Sequence, residues 1–147
     1  MSKPFRFKLE KVLEFRRQAE DQAKMALAKA KERLDAERRA LDSLLREREE
    51  KEKAFAAVKS LSAADLWLWR RFRERLKLDM ERVQGRIRNF ESEVERARAE
   101  LVTRAKERKL LDKLKEQQAV RHAKEAQALE QKSYDEVSTI LFGHQNI

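Results

Sequence analysis

From Phe5 onward, apolar residues recur at steps of three and four: Phe5, Leu9, Val12, Arg16, Ala19, Ala23, Ala26, Ala30, Leu34, Glu37, Leu41, Leu44, Arg48, Lys51, Phe55, Val58. Twelve of these sixteen positions are apolar. That period lays one stripe along an α-helix. Sustained over many heptads, it predicts a coiled coil. The steps Ala26–Ala30–Leu34 are four and four, a stutter that locally unwinds a supercoil. Small residues from Ala19 to Ala30 predict close approach of a neighbouring helix.

A second series follows with larger side chains: Leu66, Trp69, Phe72 or Arg73, Leu76, Met80, Val83, Ile87, Phe90, Val94, Ala97, Leu101. Gly85 lies off it and costs the helix about 1 kcal/mol. Between the two series stands VKSLSAADL, in which Ser62 and Asp65 have capping-box spacing. A short serine-containing break favours a helical hairpin over one continuous helix. Pro4 suits the first turn of a helix, and Gly143 suits the end of one. The fold predicted is all-α: one elongated antiparallel two-helix coiled-coil hairpin over residues 1–147. Helix 1 spans about 4–58, the turn 59–62, and a longer helix 2 about 63–141.

In that hairpin, residue i faces about 121 − i, so Phe5 comes near residue 116. Helix 2 outruns helix 1 by about 24 residues, or roughly 35 Å at 1.5 Å per residue. Past Leu101 the seam positions turn polar: Arg104, Arg108, Leu111, Lys115, Gln118, His122, Glu125, Leu129. A helix polar all round is rarely stable alone. Residues 119–147 therefore either fray or receive a partner surface at the apolar residues near the end, among them Tyr134, Val137 and Ile140.

Composition sharpens this picture. Charged residues make up 43% of the chain, with two Gly and one Pro, as long helices require. The hydrophobic fraction of 41% argues against disorder. No cysteine, signal peptide or ~20-residue apolar span is evident, so a soluble intracellular protein is expected. The net charge is +9. Residues 1–17 contribute +4 and residues 104–124 contribute +5, and a hairpin brings these segments together at a basic open end. His122 and His144 lie 22 residues apart without the spacing of a zinc site. There is no glycine-rich phosphate loop, and a long hairpin offers no deep pocket. No enzyme, cofactor or small-molecule ligand is expected.

The stretch DLWLWRRFRERLKL concentrates both tryptophans beside a basic cluster. On a helix, Trp67 and Trp69 diverge by about 200°. Trp69 continues the seam and plugs the hairpin end. Trp67 is either a surface indole covered by Arg71 through a cation–π contact or part of a partner-binding patch with Phe72 and Leu78.

The opening FRFKLEKVLEFRRQAEDQAKMALAKA, the tip SAADLWLWRRFRERL and the late segment LLDKLKEQQAVRHAKEAQALEQKSYDEV together resemble the flagellar export protein FliJ family. That resemblance implies a non-enzymatic antiparallel coiled coil similar to the central stalk of rotary ATP synthases. Its open end would insert into the hexameric flagellar export ATPase and promote ring assembly and activity. A patch nearer the tip would contact the membrane export-gate component, and the protein would bind and recycle export chaperones. It would be cytoplasmic and peripherally associated with the inner-membrane gate. Charge nominates Arg6, Lys8, Lys11, Lys113 and Lys115 as ring contacts. Phe72 and Leu76 match family positions associated with the gate-facing patch, and Trp67 joins them, although the heptad places Leu76 in the seam. Two other readings remain: a basic coiled-coil spacer or holdase, and a nucleic-acid-binding coiled coil permitted by the pI near 9.9. Interleaved acidic residues and the lack of a recognition module argue against nucleic acid.

Overall fold

A computed structural model describes residues 3–145, with side chains described for 3–143. Two helices form an antiparallel hairpin: α1, Glu10–Ala56, and the longer α2, Ala63–Gln145. Each helix contributes to two compact units. One joins the residues up to Glu20 with those from Thr103 onward, and the other comprises Asp21–Val102.

The capping box forms as the sequence predicts. Asp65 N–H donates to Ser62 Oγ at 3.1 Å, and Ser62 N–H donates to Asp65 Oδ2 at 3.2 Å. Two donors that the first helical turn leaves open are thereby satisfied.

Several boundaries differ from expectation. α1 begins at Glu10, not near Pro4. The preceding segment is held by tertiary contacts: Phe7 is buried, Phe5 tilts against the His122 ring at 5.8 Å, and His122 Nε2 donates to the Lys3 carbonyl at 2.8 Å. α1 ends at Ala56, so the connection is 57–62 rather than 59–62. Gly143 does not terminate α2, which continues to Gln145. Gly143 lacks the positive φ by which a glycine usually stops a helix.

The register also differs from 121 − i. Glu10 meets Lys115, Ala30 packs with Val94 and Phe55 stacks on Trp69, pairs whose residue numbers add to 124 or 125. The shift is about one helical turn. Phe5 accordingly meets His122 instead of residue 116. The cause is local to the turn. Phe55, next to the end of α1, faces Trp69, so α2 has already run from Ala63 to Leu68 before it finds a partner. The six-residue connection climbs past the end of α1 before α2 turns back.

In the unit of residues 21–102, Ala30, Leu34 and Val94 form a buried cluster, with Leu27, Ile87, Phe90 and Ala97 packed against it. Each helix contributes one alanine to it, Ala30 from α1 and Ala97 from α2, and large residues come from both, so the expected division into a small-residue helix and a large-residue helix is only partial. Leu76 and Val83 are also buried. Phe55, Trp69 and Phe72 stack in series, with ring centroids 4.5 and 5.8 Å apart, and close the aromatic end. Interhelical ion pairs flank the seam at Glu37–Arg86, 3.1 Å, and Arg38–Glu91, 3.7 Å.

Gly85 is helical, and a Cβ placed there meets only the guanidinium end of Arg88 at 4.0 Å. Gly85→Ala therefore raises stability by about 1 kcal/mol, since alanine costs the helix less backbone entropy. A urea titration showing no gain would contradict this.

Candidate interaction surfaces

In the unit that carries the N-terminal segment, the seam differs from the expected one. Upstream of Ala23, the residues turned inward are Glu20, half-buried Arg16 and Leu13, the last completely buried. Leu9 and Val12, placed in the seam by their apolarity, are exposed. Because the inward series reads 13, 16, 20, 23, 27, 30, 34, no four-plus-four stutter occurs at Ala26, which is exposed. Arg16, Ala23, Ala30 and Leu34 stand in the seam as the apolar series placed them, whereas Val12, Ala19 and Ala26 give way to their neighbours Leu13, Glu20 and Leu27.

Those residues are satisfied by α2. Arg108 grips Glu20 with two donors, Nε to Oε2 at 2.7 Å and Nη2 to Oε1 at 3.3 Å. Its Nη1 reaches Asp112 Oδ2 at 3.0 Å. Arg17 adds a 3.1 Å bond to Asp112, Arg16 pairs with Glu107 at 2.8 Å, and Lys115 pairs with Glu10 at 2.8 Å. Among the described residues, no buried side-chain polar atom lacks a hydrogen-bond partner. The polar stretch of α2 is thus opposed by α1 as far as Lys115 and by the segment preceding α1 as far as His122, not left without support. The Arg108 guanidinium is held charged far above its ordinary range, chiefly by its hydrogen bond to Glu20 and then by Asp112. The Asp112 carboxyl is pushed below its ordinary range by its bond to Arg108, against the opposing effect of burial.

The five cations nominated from charge divide. Arg6, Lys8, Lys11 and Lys113 are exposed, and none takes part in an ion pair among the described residues. Lys115 is half-buried and committed to Glu10. It belongs to the interhelical seam rather than the open surface. Beyond His122, opposite Lys3, α2 runs from 123 to 145 with no α1 segment facing it. Along that stretch Leu129, Tyr134, Val137, Ile140, Leu141 and Phe142 are exposed.

At the turn end of the other unit, Trp67 is 59% exposed with the Arg71 guanidinium 5.2 Å from its ring centroid, as the i,i+4 spacing predicts. Leu66 is exposed too, contrary to its expected seam position, because it precedes the first residue of α2 that faces α1. Phe72 is half-buried against Trp69. Leu76 is 4% exposed and lies in the seam, the heptad position and not the surface one. A groove of about 430 Å³ runs between Phe55, Val58, Leu61, Leu68, Trp69 and Phe72.

Among the described residues, no cluster of His, Asp or Glu could hold a metal ion, and the chain has no cysteine. The His144 side chain lies outside the described ones. No helix among the described residues is long and apolar enough to cross a membrane. A family model described as "Flagellar FliJ protein" matches residues 5–146. No curated protein and no solved structure gives a significant match.

Proposed function

Since the chain belongs to the flagellar FliJ protein family, a non-enzymatic coiled-coil family of flagellar export, we propose that it acts as the central stalk of the export ATPase. Its basic end inserts into the hexameric ring and promotes assembly and turnover. Its turn end reaches the membrane export gate, and it binds and recycles export chaperones while remaining cytoplasmic and peripheral to the inner membrane. The observation that carries this reading is the end unit: Arg6, Lys8, Lys11 and Lys113 stand exposed in it, and α2 continues beyond His122, the residue that meets Lys3. Such an end offers charge and an unpartnered helix to a surrounding lumen. Trp67 and the exposed edge of Phe72 serve the gate, and Leu76 supports the seam beneath.

The mechanism is mechanical. A helix pair with different residues around its circumference contacts each subunit of a ring differently. It biases nucleotide state only through contacts that differ between states. Exposed ionic contacts of this kind weaken with salt.

The triple variant Arg6→Glu/Lys8→Glu/Lys11→Glu is expected to lose at least tenfold of its stimulation of the cognate ATPase at low salt, with its helicity unchanged. These side chains make no ion pair among the described residues, so the loss reports the ring contact. Full stimulation by a folded triple variant removes the basis for the assignment. Lys115→Glu is a poor probe by comparison, because it also breaks the pair with Glu10.

A further inference from the structure

The stalk reading gives Trp67 to the gate but leaves the apolar residues around it, Leu61, Leu66 and Leu68, without a role. Leu66, Trp67 and Leu68 are three consecutive helical residues, and all are exposed, the latter two at 59%. At 3.6 residues per turn they fan across about 200°. A helix lying in a partner's groove buries one face, not three successive directions. Val58 and Leu61 in the connection are exposed as well. These residues cluster where the connection and the first six residues of α2 rise beyond the end of α1. The apex is therefore apolar on several sides, the groove between Leu61, Leu68 and Trp69 among them.

Charge is layered behind it. Residues 58–77 hold six basic and two acidic groups, a net +4. Arg70, Arg71 and Arg73 follow two to five residues past Leu68, and Arg71 already lies over the Trp67 indole. The order from the tip inward is aliphatic, indole, guanidinium. A bilayer presents the complementary order, since Trp settles at the interface and cations at the anionic headgroups. We infer that the turn end of the hairpin inserts shallowly into an anionic lipid surface, with Leu61, Trp67 and Leu68 entering the acyl boundary and Arg70, Arg71 and Arg73 holding headgroup phosphates. A fluid surface closes around apolar side chains that point in several directions, which a single rigid acidic protein groove does not. The attachment is peripheral and needs no spanning helix.

Flotation of the full chain with vesicles tests this. One set is pure phosphatidylcholine, and the other is three parts phosphatidylcholine to one part phosphatidylglycerol. Binding is expected only to the anionic set and weakens at least tenfold in Trp67→Ser/Leu68→Ser. Leu61→Ser, outside both helices, gives a second variant with no helical cost, and circular dichroism confirms that each remains folded. The triple reversal at Arg6, Lys8 and Lys11 is the control for simple attraction of a basic protein, and it retains at least half the binding. Loss of binding in the triple reversal with retention in the tip variants overturns the inference, as does absence of binding to anionic vesicles. So does saturable capture of a synthetic acidic amphipathic helix at the tip without vesicle binding. No ATPase or gate protein is present in this assay. Failure here therefore leaves the turnover experiment to judge the stalk reading separately.

Discussion

Arg108→Ala destabilises the unit that carries it by about 3 kcal/mol, whereas Glu20→Leu/Arg108→Leu leaves it as stable as the parent or more so. Glu20 retains only 9% of its side-chain exposure and depends on Arg108 for two hydrogen bonds. Removing the guanidinium takes both of these bonds from a carboxylate held in a helix–helix seam, and Asp112 loses its shortest partner as well. The pair itself contributes little net stability, because both charges gave up water to meet. Replacing both by leucine restores an apolar seam of the kind found at Ala30 and Leu34. Urea titrations of the parent, Glu20→Leu, Arg108→Leu and the double variant form the required cycle. Additive single effects with no recovery in the double variant would show that the two groups do not act on each other.

The same cluster sets an acid limit. Asp112 has a folded-state pKa below its ordinary value, so its contribution is fully present above about pH 4. That contribution disappears as the pH falls through the lower folded value. It is a modest effect, because Asp112 keeps 33% of its side-chain exposure.

Leu13→Ala is the second large effect, at about 2–3 kcal/mol. Leu13 is 0% exposed, and Phe7 is the other buried large apolar residue of its unit. A two-helix seam is thin and collapses partly around a lost side chain, which keeps the cost toward the lower part of the usual range. Most of the loss stays local, because the apolar cluster of the other unit does not include Leu13. Amide exchange along residues 10–20 should quicken roughly thirty- to a hundredfold, while exchange around Ala30 and Val94 changes little. Equal acceleration at both places would mean that the units open together.

The pattern of polar ionic residues explains where the sequence was legible. On α2, large apolar residues from Trp69 to Leu101 mark one stripe without ambiguity, and every one of those seam positions is buried or half-buried. On α1, two neighbouring stripes compete upstream of Ala23. Leu9 and Val12 favour one, and the fold uses the other, through Leu13, Arg16 and Glu20. Arg108 already stood in the polar continuation of the α2 series. An acid at Glu20 in step with Ala23 and Ala30 was the signal that could have identified its partner.

By itself the sequence determined two helices, their antiparallel order, the capping box at Ser62 and Asp65, and the basic end, because each follows from local periodicity, short-range hydrogen bonding or summed charge. Only the tertiary structure decided the one-turn shift in register, the ionic seam, the separation of Lys115 from the exposed cations and the exposure of Leu66. Those depend on the path of the connection 57–62 and on which charged groups satisfy one another across the helices. A hydrophobic pattern carries neither quantity, because it ranks residues by polarity and cannot see a polar residue whose partner approaches from 88 positions away.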